Sequence, residues 1–491
     1  MKHLKKIMSL ILTAIMVIAM CVPVMAENVN LSKHTFAAYQ IFRGDFTSNK
    51  LTNIGWGNGV NSSTLLAALQ EKTEYADCDT VTKVAEKLSE LANNADKVQE
   101  FADIVKNHLS DNKTTGTGSI DLPAAGYYFI EDTTSVEGKD DAKNFSLLKV
   151  NAAGTVTPEV KTDKPTLEKK VKDVNDSTPN STTGWQDSAD YDIGDSIPYM
   201  LTATMGELTN YKTYSIKFID TMTHLTLNAS APFVVKVGDR PLGPDEYTKS
   251  WDATTKTLEV AITDVKILGA AKGTKVTVEY EATLDRDAVI GSTGNPNEAK
   301  LEYSNNPNGK GKGETAPDKN IVFTYKVVAN KVDADGHALT GAAFELFKKN
   351  ANEQFESVGI QNATKDQDGN YTLSDTQKTT FEWKGLDDGD YRIEEVVTPE
   401  GYNTIAPIEF TVTADHEIES DNPKLKDLVG GNGFTGTAST GVISSSIVNR
   451  LGSTLPSTGG IGTTIFYVVG VILMLGAGVL LVTKKRMSSN R

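Results

Sequence analysis

Between residues 162 and 450, apolar residues recur at every second position in short runs, and turn residues separate the runs. Such runs lie at 199–203, 214–219, 233–237, 257–262, 274–282 and 299–303, then at 321–332, 343–347, 391–397 and 408–412. A period of two puts alternate side chains on opposite faces of a strand, so each run can bury one face. Many short strands of this kind predict β-sandwiches. Residues 27–161 read differently. Residues 34–42 alternate as a strand, 63–109 carry apolar residues at three- and four-residue spacing, and strand pattern returns at 126–131. This predicts a small β-fold with a helical insertion. The chain has 491 residues, which suits about three domains, here 27–161, 162–317 and 318–450.

The two ends read as addresses. Lys2, Lys5 and Lys6 precede an apolar stretch at 8–21, and small or apolar residues lead to Ala26. This is the order of a cleaved secretory signal peptide, with the cut expected between Ala26 and Glu27. At the other end Leu455-Pro456-Ser457-Thr458-Gly459 is followed by an uncharged apolar stretch at 461–483 and a basic tail from Lys484. The stretch is long enough to span a bilayer, and the basic tail stays cytoplasmic. Pentapeptide, span and tail in this order resemble the cell-wall sorting signal of Gram-positive surface proteins. The resemblance implies that a sortase cuts between Thr458 and Gly459, holds Thr458 as a thioester and passes it to an amine. The expected location is therefore secreted and peptidoglycan-anchored, with residues 451–491 as the sorting segment.

Composition narrows the function further. The net charge is −15, which rules against a nucleic-acid partner. The two cysteines are Cys21 and Cys78, and the first falls in the leader. A secreted chain is free to use disulfides, but this one has no internal pair, so any covalent reinforcement must come from other chemistry. Six histidines are scattered without ligand spacing, and no metal or cofactor is expected. No nucleophile, base and orienting group stand together, so the chain is not expected to be an enzyme in the ordinary sense.

Lysines stand where the alternation points inward. Phe323, Tyr325, Val327, Ala329 and Lys331 share one face, as do Leu167, Lys169 and Val171, with Lys170 and Lys172 on the opposite face. Lys331-Val332-Asp333-Ala334-Asp335-Gly336, Leu339-Thr340-Gly341-Ala342-Ala343-Phe344, and Tyr391-Arg392-Ile393-Glu394-Glu395 through Gly401-Tyr402 resemble a CnaB-type repeat of collagen adhesins. In that family a first-strand lysine bonds to a last-strand asparagine, promoted by a glutamate. The resemblance implies Lys331, Asn449 and Glu395, with Glu394 facing solvent. Residues 165–171, Tyr191-Asp192-Ile193-Gly194-Asp195 and the strand at Asn297 resemble the second domain of Gram-positive backbone pilins. This implies a Lys169–Asn297 bond assisted by Asp220, with Asn295 and Asn305 as alternatives to Asn297. Physically, burial pushes a lysine toward the neutral, nucleophilic amine and raises a carboxyl so that it can polarise the amide. Folding supplies the proximity. Residues 127–131 repeat the pattern in the first segment, but Lys33 is a poor partner and no crosslink is expected there.

The junction Thr155-Val156-Thr157-Pro158-Glu159-Val160-Lys161-Thr162-Asp163-Lys164-Pro165 completes the resemblance. In backbone pilins a lysine just after a Val-x-Pro strand receives the sorting-signal threonine of the next subunit. Here Glu159 follows Pro158 where a lysine is usual, so Lys161 is the chosen acceptor and Lys164 the alternative. The implied partners are polymerising and housekeeping sortases, further copies of the chain head to tail, minor tip and base pilins, and peptidoglycan. The expected function is a covalent pilus backbone for surface adhesion. The rival is a singly displayed, wall-anchored adhesin.

Overall fold

The computed structural model describes residues 27–47, 50–452 and 461–488. The leader up to Ala26, and Leu455, Pro456, Ser457, Thr458 and Gly459, lie outside the described residues.

The first segment is built on a sheet ordered Lys50–Trp56, Thr35–Thr47, Gly126–Asp132, Leu147–Asn151, with Thr114–Thr117 also paired to Thr35–Thr47. Both faces of the long strand are buried between Phe36 and Tyr39. Ala37, Tyr39 and Ile41 pack under three helices, Ser62–Gln70, Val81–Glu90 and Ala95–Lys106, through Leu65, Leu69, Val84, Leu88, Phe101 and Val105. Phe36 and Ala38 face the other way, onto Ile120, Leu122 and Val156. Thr80 and Asn94 start the last two helices by accepting the Lys83 and Lys97 backbone N–H groups. The helical insertion is therefore where its periodicity predicts it. Cys78 is buried in this core.

Two sheets face each other in the second segment. One runs Thr166–Val171, Ser196–Thr204, Lys275–Leu284, Val234–Val237, Arg240–Pro241. The other runs Ser188–Asp190, Asp318–Phe323, Asn295–Ser304, Ile216–Met222, Thr257–Ile262, Thr248–Asp252. Tyr199, Leu201, Phe218, Val260, Val278 and Leu301 fill the space between them.

The third segment is a second sandwich. Thr380–Leu386, Tyr325–Val332, Val442–Val448 and Thr435–Thr437 form one sheet. Phe355–Gln361, Ala343–Lys349, Gly389–Val397, Ile408–His416 and Leu425–Gly430 form the other. Its first and last strands are parallel neighbours, with Lys331 opposite Ile447. This brings the two ends of the sequence motif together.

One expectation is corrected. The run 321–332 is two strands, not one, because they belong to different sheets. Asp318–Phe323 pairs antiparallel with Asn295–Ser304 of the second sandwich, whereas Tyr325–Val332 pairs with Thr380–Leu386 of the third. Thr324, buried with its hydroxyl on the Leu386 carbonyl at 3.2 Å, stands at the change. Strand pairing thus moves the boundary from 317/318 to Thr324. Phe323 belongs with the earlier sheet, and the inward face of the later strand starts at Tyr325.

Towards the C-terminus, Ile461–Ser488 is helical. Its span Phe466–Lys485 has a mean hydropathy of 2.4 and is long and apolar enough to cross a membrane.

Candidate crosslink sites

Lys169 is fully buried, as are Asp220 and Asn297. Three strands converge to bring them together. Thr166–Val171 carries Lys169 inward from one sheet. In the facing sheet, Asp220 on Ile216–Met222 lies opposite Ala299, two residues along the strand from Asn297. Lys169 Nζ donates to the two Asp220 oxygens at 3.0 and 2.9 Å and to the Tyr280 hydroxyl at 2.9 Å. The Tyr280 hydroxyl in turn donates to Asp220 Oδ2. Asn297 Nδ2 donates to the same hydroxyl at 3.0 Å. Tyr199 stacks on Tyr280 at 5.4 Å, and its ring lies 4.9 Å from Lys169 Nζ. Burial pushes the Lys169 ammonium down from the usual lysine range, against the pull of Asp220. The Asn297 carbonyl Oδ1 is buried without a hydrogen-bond partner.

Tyr280 is the residue that sequence reasoning missed. Its signal was present: Val276, Val278, Tyr280 and Ala282 alternate, and all four are buried. The alternatives to Asn297 are occupied elsewhere. Asn295 donates to the Val289 and Val322 carbonyls and accepts from Val289 N. Asn305 donates to the Val136 and Asp141 carbonyls in the first segment. Lys170 turns the other way, to Asp187 at 2.7 Å.

The third segment repeats the arrangement with different surroundings. Lys331 and Asn449 are buried, and Glu395 is nearly so. Lys331 Nζ donates to the Ile447 and Val332 carbonyls at 2.8 and 3.1 Å. Asn449 N donates to the same Val332 carbonyl at 3.1 Å, which sets lysine and asparagine side by side. Asn449 Nδ2 donates to both Glu395 oxygens at 2.8 and 2.9 Å, while its Oδ1 has no partner. A half-turn of this amide exchanges its N and O, presenting the carbonyl to Glu395. Burial lowers the Lys331 pKa, and Glu395 opposes that shift. Glu394 points outward and pairs with Arg392 at 2.8 Å.

A third buried lysine shows what sets these two apart. Lys348 is surrounded by Asp192 at 2.7 Å, Asp176 at 3.0 Å and Asp387 at 3.4 Å. Burial works against its charge, but these carboxylates outweigh it and raise its pKa. It is held as an ammonium and is no nucleophile.

At the junction, Lys161 has a 43% exposed side chain paired to Glu159 at 3.0 Å, whereas Lys164 is 13% exposed and bound to Asp140 at 2.9 Å. The backbone at Lys161 is fixed from both sides. Its N–H reaches Asn144 Oδ1 at 2.7 Å, and its carbonyl accepts from Asn210 Nδ2. Glu27, the expected first residue after cleavage, begins a short strand paired to Asp163–Lys164. In the first segment Lys33 is exposed. Its neighbour His34 is buried instead, with Nδ1 on Asp132 at 2.6 Å and Nε2 near Asp141 at 3.1 Å.

The chain carries three known family features. Residues 193–307 match a Gram-positive pilin backbone subunit 2, Cna-B-like domain; residues 325–424 match a prealbumin-like fold domain; residues 452–489 match an LPXTG cell wall anchor motif. A trypsin-resistant surface T6 protein of Streptococcus pyogenes serotype M6 is 27% identical over 274 residues, covering 43% of this chain and 48% of the relative. The chain thus spans about half the length of the curated relative it matches. The solved T6 backbone pilin of serotype M6 Streptococcus pyogenes aligns at 16% identity and TM-score 0.49, covering 87% of this chain and 98% of that one. The full-length major pilin SpaD of Corynebacterium diphtheriae aligns at 16% identity and TM-score 0.45, covering 86% and 94%. The anchor motif together with the apolar helix is that of a cell-wall-anchored surface protein.

Proposed function

We propose that the chain is a pilus backbone subunit, polymerised through Lys161 and Thr458 and stapled internally by two isopeptide bonds. The observation that carries this reading is a buried lysine, carboxylate and asparagine set in the second sandwich, where the pilin-backbone domain matches, and again in the third.

In each staple the neutral lysine amine attacks the asparagine Cγ. The new C–N bond forms as the bond to Nδ2 breaks. The amine proton passes by way of the carboxyl group to the departing nitrogen, which leaves as ammonia. Asp220 serves Lys169 and Asn297; Glu395 serves Lys331 and Asn449. Each pair reacts once, so the chemistry matures the fold rather than turning over a substrate. Polymerisation is a second, separate acyl transfer. A sortase thiol takes Thr458 from Gly459 as a thioester, and the Lys161 amine of another copy displaces the thiol to form an amide. Contacts of this kind are heterologous and do not close, so a filament grows. The greater exposure of Lys161 favours it over Lys164, since an acceptor amine must be reachable.

The test is an immunoblot of boiled, detergent-treated wall extract, wild type beside Lys161→Ala. The expected result is a high-mass ladder that collapses in the variant. A ladder that persists would move the acceptor to another lysine, Lys164 first. A single monomer-sized band in wild type would overturn the polymer and leave a singly displayed anchored protein.

A further inference from the structure

In the two candidate crosslink sites the carboxylates stand on opposite sides. In the third sandwich Glu395 is on the amide. Both its oxygens accept from Asn449 Nδ2, while Lys331 Nζ rests on the Ile447 and Val332 carbonyls. In the second sandwich Asp220 is on the amine, and both its oxygens accept from Lys169 Nζ. Among the described residues Asp220 hydrogen-bonds Lys169 and Tyr280 and not Asn297. The nitrogen that must leave Asn297 donates instead to the Tyr280 hydroxyl at 3.0 Å. That nitrogen departs as ammonia only once it is protonated, so the second site needs a proton carried from the carboxyl to the amide.

Tyr280 spans this gap. Its hydroxyl accepts from Lys169 Nζ at 2.9 Å and from Asn297 Nδ2, and donates to Asp220 Oδ2. One oxygen therefore touches the nucleophile, the carboxylate and the leaving nitrogen, within the reach an acid–base group requires. The strands hold it there. Tyr280 lies directly opposite Tyr199, and the two rings stack 5.4 Å apart and 14° from parallel. While the carboxylate is ionised, the single phenolic proton is committed to Asp220. Once Asp220 has taken the lysine's proton it becomes the donor, and the phenolic proton is freed for Asn297. Burial and the Asp220 charge hold the phenol well above its ordinary range, so its oxygen gives up a proton only as it receives another.

We propose that Tyr280 is a catalytic residue, a role that rests on the Lys169–Asn297 staple proposed above: it carries the proton of Asp220 to the departing nitrogen. The neutral Lys169 amine attacks Asn297 Cγ and the C–N bond forms. At this tetrahedral stage Nδ2 is an amine with a lone pair, and it accepts where the amide donated. The Asp220 proton moves onto the Tyr280 oxygen as the phenolic proton moves onto Nδ2. Asp220 then takes the proton shed by the new amide nitrogen, the Cγ–Nδ2 bond breaks, and ammonia leaves. Tyr280 and Asp220 end as they began. Glu395 touches its leaving nitrogen directly, so the third sandwich needs no such carrier.

The test times both bonds in one molecule. The full chain is made by pulsed cell-free synthesis in detergent micelles, quenched in acid at intervals and digested, and each crosslinked peptide is followed by mass spectrometry. Tyr280→Phe is expected to slow the Lys169–Asn297 bond by about 10²–10⁴-fold and to leave the Lys331–Asn449 bond at its wild-type rate. An unchanged Lys169–Asn297 rate would overturn the role. Tyr280→3,5-difluorotyrosine keeps the ring and the hydroxyl but makes the hydroxyl a stronger acid, and it keeps the test open should Tyr280→Phe fail to fold. It is expected to speed the Lys169–Asn297 bond alone. A hydroxyl that only holds the site together would leave that rate unmoved, and this result too would overturn the role. Wild type that forms no Lys169–Asn297 bond would overturn the staple itself, and the role with it.

Discussion

At the residue scale, the two proposed staples differ in how the carboxylate meets its partners, and that difference is measurable. Asp220 holds the lysine and shares a tyrosine proton; Glu395 holds the asparagine. Intact mass of the secreted chain should fall short of the sequence mass by two ammonias. Asp220→Ala and Glu395→Ala should each restore one, leaving the other staple intact. Tyr280→Phe keeps the ring on Tyr199 but removes the hydroxyl that touches Lys169, Asp220 and Asn297. Its deficit in the second sandwich should form more slowly in a mass time course, with the third unaffected. A wild-type mass without deficit would sink both staples. The resemblance to CnaB-type and backbone-pilin domains named the lysines, asparagines and carboxylates before any coordinates, and strand parity added which of two neighbours turns inward, Lys169 over Lys170 and Glu395 over Glu394. Tyr280 was passed over because a tyrosine in an alternating strand reads as core; only the opposing strand turns its hydroxyl into a partner.

At the element scale, the long strand Thr35–Thr47 is tied to the loop of the proposed acceptor, Lys161, by a buried polar chain. His34 bonds Asp132, Asp132 accepts the Asn144 N–H at 2.8 Å, and Asn144 holds the Lys161 N–H and donates to the Glu159 carbonyl at 2.9 Å. Burial opposes charge on His34, but Asp132 and Asp141 outweigh it and raise its pKa above 6.5. Burial also works against the Asp132 charge, yet His34 and the Asn144 N–H lower its pKa below 3.8. A raised histidine contributes fully below its unfolded value and loses the contribution as pH rises through its folded value. The lowered aspartate loses its share as pH falls through its own folded value. The pair is thus strongest in the mildly acidic range. His34→Gln leaves Asp132 buried without its charge partner, at a cost of about 3–5 kcal/mol. Hydrogen exchange of the Thr35–Thr47 amides at pH 6 should show that loss, and the gap to wild type should narrow in alkaline buffer. A gap independent of pH would remove the ion pair from the account. His34 was invisible to pattern reading, which sought a lysine at that place. Thr324 was hidden for a different reason. The strands on either side of it are both buried, so the apolar alternation runs through the change of sheet without a mark.

At the scale of the whole molecule, the staples matter through where they lie on the path of a pulling force. Tension in a filament would enter near Lys161 and leave through Thr458. In the third sandwich the first and last strands are parallel neighbours, and Lys331 and Asn449 sit at their ends. A bond between them carries load directly from strand to strand and leaves residues 332–448 slack. In the second sandwich a Lys169–Asn297 bond likewise bypasses residues 170–296. Each bond closes a loop of more than about 100 residues, which by the loop-entropy estimate used for disulfides contributes about 4–5 kcal/mol to stability. The mechanical consequence is larger than the thermodynamic one. Without a staple, each loop can extend at about 3.5 Å per residue, or roughly 400 Å. Single molecules pulled between residues 161 and 458 should therefore show no release of residues 170–296 or of residues 332–448 in wild type. They should show one release of that length in Glu395→Ala, one in Asp220→Ala, and two in the double variant. The first segment lies before the point of attachment and should contribute no extension in any of them. A wild-type trace that pays out either loop would mean that the buried lysine and asparagine lie together without a bond.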